Sequence, residues 1–243
     1  MASVNTNYGA AIALQNLNKT NSELERTQNR INTGMKVSSA KDSGAIFAIA
    51  TSQRATASSQ DAVRSGLQRT QSITDVALAA GDTITTALEE MKGLAVSIAG
   101  STGAAQTAYL AEFNALGTEI GSAITGASFD GVNSLTTPLT SLSTITAGNL
   151  AAGAATTAAV DTAITTVTGA LSTLGTQSKS LGRQITFVNK LQDALEAGVG
   201  NLVDADLAKE SAKLTALQTK QQLGVQALSI ANSSSQTLLS LFR

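Results

Sequence analysis

The sequence predicts a mainly α protein: a long antiparallel coiled-coil-like helical rod with one small β-hairpin and its N- and C-terminal helices paired. Three observations carry that expectation. Apolar residues recur at steps of three and four over most of the chain. A single proline, Pro138, stands near the middle of 243 residues, so both halves are free to form long uninterrupted helices. Next to that proline the helical spacing gives way to a Thr- and Ser-rich stretch that follows a turn signal, Asp130-Gly131.

The first element is expected over roughly residues 4 to 33. Ala10, Leu17, Leu24 and Ile31 lie seven apart, with Leu14 and Met35 on an adjacent rail that also holds Asn21 and Gln28. That is an amphipathic helix with a half-apolar second rail. "RINTGMKVSSAKDSGAIFAIA", residues 30 to 50, then interrupts it. Gly34 lets the backbone leave helical φ/ψ without strain. Ser38, Ser39 and Asp42 are residue types that bond nearby backbone groups, and Ser43 is placed to cap the incoming helix.

The longest pattern starts at Ile46 and steps through Ile49, Val63, Leu67, Ala77, Ile84, Leu88, Met91 and Ala95 to Ile98. A helix of that length is about 80 Å long. Gly100 and Gly103 end it. A shorter helix follows, with Leu110, Phe113, Ile120 and Ile124 on one face. In "SFDGVNSLTTPLTSLSTITAGNL", Leu139, Leu142, Ile145 and Leu150 sit among Thr and Ser, and the β-hairpin is expected near residues 134–155. Helical steps resume at Val160 and run through Val167, Leu174, Leu181, Val188 and Val199 to Leu202, broken only by Ser178 and Gln192. In the last forty residues Leu207, Leu214 and Leu228 share one heptad rail, and Val203, Leu217 and Leu238 another.

The two ends mirror one another. Residues 2–18 and 221–242 carry no charged side chain, and each belongs to an amphipathic helix joined to a longer one nearer the centre. The chain therefore goes out, turns near Pro138 and returns, placing the terminal segments side by side. Thin seams and twenty glycines, each costing up to roughly 1 kcal/mol against Ala in a helix, leave such a rod dependent on other chains for stability. The uncharged tips are expected to be disordered in the free monomer and to fold on assembly.

Composition excludes several function classes. With no Cys there is no disulfide and no thiol nucleophile, and with no His there is no Ser-His-Asp triad and no HExxH zinc site. A formal net charge of −1 offers no footprint for nucleic acid. No run of about 18 apolar residues is present to insert in a membrane. The N-terminus lacks the basic n-region and apolar core of a secretory signal peptide. "SSAK", Ser38 to Lys41, fits the S-x-x-K of serine acylases, but no S-D-N or K-T-G accompanies it. Asp204, Asp206 and Glu210 invite a calcium reading. Residues two apart on a helix point to different faces, however, no Gly-containing loop follows, and Lys209 and Lys213 intervene. No enzyme activity and no cofactor are expected.

The termini resemble the bacterial flagellins. "NTNYGAAIALQNLNKT" is similar to that family's I-N-T-N…A-x-x-N-L, and "RINTGMKVSSAKDSGAIFAIA" to R-L-S-S-G-x-R-I-N-S-A-K-D-D-A-A-G-x-A-I-A. "SFDGVNSL" resembles T-x-F-N-G-x-x-L. "NLVDADLAKESAKLTALQTKQQLGVQALSIANSSSQTLLSLFR" resembles I-x-D-x-D-x-A-x-E…Q-x-L-x-Q-A…L-x-x-A-N…L-x-L-L-R.

The resemblance implies a secreted structural subunit of the flagellar filament, exported through the growing tube; the alternative is the related hook–filament junction protein. It implies an inner D0 domain from residues 1–44, which include the spoke, and 204–243, with a D1 rod from residues 45–203 outside it. The D0 core and polymerisation interface would use Leu14, Leu17, Leu24, Ile31, Leu207, Leu214, Leu217, Leu228 and Leu238. Gly34, Lys41, Asp42 and Gly44 would form the spoke. An export chaperone would hold Leu238, Leu239, Leu241 and Phe242. The other implied partners are copies of the same chain, the filament cap and hook-junction proteins, with no nucleic acid and no membrane insertion.

Two departures stand out. The usual large outer domains have no room here, which makes this a minimal member. The family's L-Q-R-V-R-E-L appears as "LEEMKGL", with Glu90 and Gly93 where Arg and Glu are common. Weak recognition by the innate immune receptor that reads this segment is therefore expected, and a receptor reporter assay checks it. An Ala/Ser/Thr/Gln-rich signalling hairpin like that of chemoreceptors is the reading from a different class; it needs a membrane anchor or sensor.

Overall fold

A computed structural model describes the backbone of residues 7–240 and the side chains of residues 7–233. In chain order the elements are α1 (Tyr8–Thr33), α2 (Gly44–Ala99), α3 (Ala104–Gly126), β1 (Ser128–Phe129), β2 (Val132–Asn133), a 3₁₀ turn (Thr140–Leu142), α4 (Ser143–Thr146), α5 (Thr157–Val203) and α6 (Leu207–Ser240). The fold is mainly α with one small antiparallel sheet, as the spacing predicts. The chain divides into two compact units, one built from residues 1–58 and 193–243 and the other from residues 59–192.

The ends of α1 at Gly34 and of α2 at Ala99 fall where the sequence places them, whereas α1 starts at Tyr8 rather than near residue 4. Asn7 caps α1, its Oδ1 accepting from the Ala10 backbone N–H at 3.0 Å. Gly34 closes α1 in the left-handed conformation, φ 68°. α2 runs unbroken to Ala99, and the Gln106 side chain reaches back to the Ile98 carbonyl (3.1 Å), satisfying one orphaned acceptor of the last turn.

The second unit has a continuous core. Ile84, Leu88, Met91 and Ile98 from α2 meet Phe113 and Ile120 from α3 and Val160 and Val167 from α5, all fully buried. Thr74 is buried too, and its hydroxyl donates to the Thr70 carbonyl (2.9 Å), so that hydroxyl is satisfied. At Gly117 the absence of a side chain is required: a Cβ there would collide with the Ile145 carbonyl oxygen. That lets α4 lie directly on α3.

The hairpin lies earlier than expected. β1 pairs with β2 through Ser128↔Asn133 and Phe129↔Val132, around Asp130 (φ 52°) and Gly131 (φ 75°). Two consecutive positive φ values suit a two-residue hairpin turn. Residues 134–155, where the sequence reading puts the hairpin, instead hold the 3₁₀ turn and α4. Leu135, Leu139, Leu142 and Ile145 are all buried and spaced by three and four, which is helical rather than alternating. Asn133 starts that coil: its Oδ1 accepts from the backbone N–H groups of Leu135 (2.9 Å) and Thr136 (3.2 Å), while its amide donates to the Ile124 carbonyl (2.6 Å). Asn114 ties down the far end by bonding both backbone groups of Leu150.

Candidate functional site: the paired terminal helices and the 34–43 junction

The first unit pairs α1 with α6. On α6 the less exposed residues are Glu210, Leu214, Leu217, Gln221, Gly224, Leu228 and Ala231, stepping strictly by four and three. On α1 they include Ala10, Ala13, Leu17, Thr20, Leu24, Thr27, Ile31 and Gly34, stepping by three and four. This 3.5-residue average is the seam of a two-helix coiled coil. Its second rail on α1 is therefore Ala13, Thr20, Thr27 and Gly34, where the sequence reading followed Leu14 and Met35. These are small residues; on the other rail Leu17 packs against Gly224, where an added Cβ would stand 3.2 Å from Leu17 Cδ1.

Polar ties fix the register of the pair. The Asn7 amide donates to the Ala231 carbonyl (2.8 Å), Gln221 donates to Asn21 Oδ1 (2.9 Å), and Arg30 pairs with Glu210 (3.0 Å). An apolar face alone would tolerate sliding by one heptad; three side chains at set heights do not. None of the three was named from the sequence as a pair. The signal was present only as polar residues recurring at seam positions.

Between α1 and α2 the chain docks on the end of α5. The backbone N–H groups of Lys36 (2.6 Å) and Val37 (3.3 Å) both donate to the Val203 carbonyl, and the Ala205 N–H donates to the Gly34 carbonyl (2.9 Å). Met35 bridges Asp204 in strand fashion. Val37 is buried, and beside it Ala50, Val199 and Val203 form a small apolar cluster. The charged residues after it build a turn. Asp42 Oδ2 accepts four hydrogen bonds, from the backbone N–H and hydroxyl of Ser38 (3.1 and 3.2 Å) and those of Ser39 (3.1 and 3.2 Å). These bonds, the Ser38 N–H foremost, hold the Asp42 carboxyl below its ordinary value. Lys41 and Gly44 are exposed.

The other predicted residues fall as follows. Leu217 is buried, and Leu17, Leu24, Ile31, Leu214 and Leu228 are half-buried on the seam. Leu14 and Leu207 face outward. The Leu238 and Leu239 side chains, and Leu241 and Phe242 altogether, lie outside the described residues. Sequence reasoning missed a further set on the outer faces of the pair: Tyr8 (78% exposed), Ile12, Leu223, Val225 and Ile230 (68% exposed). A strict heptad template discards such residues, because they sit off the seam.

Two of the three acidic residues weighed as a calcium site have other employment, and the third, Asp204, bridges Met35 through its backbone. Asp206 caps α6 by accepting from the Lys209 N–H (3.1 Å), and Glu210 holds Arg30. No group of side chains suited to a metal ion occurs among the described residues. No helix among them is long and apolar enough to cross a membrane.

Comparison with known proteins finds relatives for both helical halves of the chain. Residues 4–140 match the family described as the bacterial flagellin N-terminal helical region, and residues 157–242 match the bacterial flagellin C-terminal helical region. The coiled segment around α4 falls largely between the two. Flagellins FljM and FljN of Caulobacter vibrioides are 54% and 55% identical, each alignment covering 99% of this chain and 98% of the relative. A flagellin of Brucella melitensis is 39% identical over the full length of both chains. With paired terminal helices, a junction built on Gly34 and Asp42, and matches spanning both halves, the chain belongs to the bacterial flagellin family.

Proposed function

We propose that this chain is a structural subunit that polymerises with copies of itself into the flagellar filament, the extracellular helical propeller of swimming cells. Flagellins are structural proteins and not enzymes, so the function lies in surfaces. One observation carries the reading: α1 and α6 leave Tyr8, Ile12, Leu223, Val225 and Ile230 exposed on stretches that hold no charged residue. Apolar side chains on several faces of a helix pair call for cover on several sides, which neighbouring copies supply.

On this reading residues 1–44 and 204–243 form the inner D0 domain and residues 45–203 the D1 domain. Leu17, Leu24, Ile31, Leu214, Leu217 and Leu228 hold the inner pair together, while Leu14 and Leu207 face neighbouring copies. Gly34, Lys41, Asp42 and Gly44 serve as the spoke. An uncharged inner surface suits a channel that passes unfolded chains of either sign. An export chaperone holding the C-terminal apolar residues before assembly, and contacts with the filament cap and hook-junction proteins, complete the set of partners.

Electron microscopy of purified monomer after adding short filament seeds and salt tests the reading. Uniform helical filaments with a central channel are expected. Protein that stays monomeric while seeds fail to grow would overturn it, and co-purification with hook proteins would then favour the junction role.

A further inference from the structure

We propose that a basic ridge on α5 of one copy seats in an acid-edged groove between α2 and α3 of the next, as a staggered contact between copies of this chain. The proposal rests on the filament reading and deepens it by naming the contact.

The ridge consists of Lys179, Arg183, Phe187 and Lys190. Steps of four, four and three put all four on one face of α5. All are exposed, Phe187 at 64%, and none of the three bases makes an ion pair among the described residues. An exposed phenylalanine flanked by cations on a helix surface, in a chain with few aromatic residues, fits a docking knob better than a solvated face.

The groove has the opposite character. Asp82 and Glu90 of α2 and Glu119 of α3 edge it, while Ala87 and Leu116 give it apolar lining, over a volume of ≈ 380 Å³. None of the three acids has an ion-pair partner among the described residues. The sign of charge on each surface is single, yet the chain as a whole is nearly neutral, with 16 bases and 17 acids. A second copy therefore supplies the complement that the same unit keeps apart from itself.

The internal register gives the stagger. Ser178 bonds Asp75 (3.4 Å) and Gln192 bonds Asp61 (3.3 Å), so α5 runs antiparallel to α2 with these residues level. The middle of the ridge is then level with about residue 68 of α2, whereas the groove centres near residue 86. At 1.5 Å per residue the two lie roughly 27 Å apart along the helix axis. A parallel copy displaced by that distance brings ridge to groove and leaves a free groove and a free ridge behind. Such a contact is heterologous and repeats without closing. Charge complementarity would set its register, and Phe187 over Ala87 and Leu116 would supply its apolar centre.

Seeded polymerisation of the full chain tests this. Arg183→Glu and Glu119→Arg should each raise the monomer concentration left beside filaments by about tenfold, and the double reversal should recover most of the loss. The chain has no cysteine, so Arg183→Cys with Glu119→Cys introduces the only thiols; oxidation should give a ladder of covalent multimers from filaments and none from monomers. Wild-type protein that forms no filaments overturns the filament reading and this contact with it. Wild-type filaments alongside single reversals that polymerise equally well, or a cysteine pair that gives no ladder in filaments, overturn this contact alone.

Discussion

Arg30 on α1 and Glu210 on α6, 180 positions apart, form a largely shielded ion pair at 3.0 Å. The pair is monodentate: Arg30 Nε and Glu210 Oε2 are buried with no hydrogen-bond partner among the described residues. Removing one partner would strand the other. Glu210→Ala should destabilise the helix pair by about 1–3 kcal/mol, and Arg30→Met with Glu210→Leu should cost less than either single change. Urea-induced loss of helical circular dichroism in polymerised protein measures it. A Glu210→Ala effect no larger than that of Lys209→Ala would refute the role.

Gly117 probes the other unit. Because an added Cβ meets the backbone carbonyl of Ile145 rather than a movable side chain, relief requires α4 to shift. Gly117→Ala should lower stability by about 1–3 kcal/mol despite its better helix propensity. Gly93→Ala, on the same kind of helix with nothing within 4 Å of the new methyl, should be neutral or stabilising. Equal melting shifts for the two variants would contradict the packing argument.

Asp42 links the junction to pH. Its carboxyl is held below the ordinary value of 3.8 by the bonds from Ser38 and Ser39. A depressed folded-state pKa means that its contribution is present above pH 3.8 and is lost as pH falls through the lower value. The carboxyl carbon resonance of Asp42 should therefore titrate below 3.8, together with the Ser38 and Ser39 amide resonances. Titration at or above that value, or serine amides that ignore it, would remove Asp42 as the organiser of the turn.

Ile230 offers the cleanest separation of folding from assembly. It is exposed on α6 and lies off the α1 seam, so Ile230→Asp should leave the melting of the 59–192 unit unchanged. Filament growth from seeds should fall by at least about tenfold, since a charge would be placed among apolar neighbours. Normal growth of this variant would argue that this face stays in water.

Several features are legible in the sequence alone. Gly34 marks the end of α1 because a left-handed residue is needed there and Gly bears it without strain. The reach of α2 follows from periodicity without proline. The Asp130-Gly131 signal correctly marks a turn, yet the hairpin was expected beyond it, because the Thr-rich composition of 134–155 looks like strand while the Leu135, Leu139, Leu142 and Ile145 spacing is helical. Spacing outweighs β-propensity when the spaced residues are the ones buried.

The sequence by itself determined the long helices, the end of α1 at Gly34 and the family, because periodicity, a left-handed glycine and the terminal motifs are local properties of the chain. Tertiary structure alone decided which rail of α1 meets α6. Leu14 is the larger residue, yet it is exposed while Ala13, Thr20 and Thr27 lie on the seam, and only the packed pair reveals which side faces α6. It also decided that Asn7, Asn21 and Arg30 find Ala231, Gln221 and Glu210. Contacts between residues some two hundred positions apart depend on the axial offset of the two paired helices, and no local pattern encodes that offset.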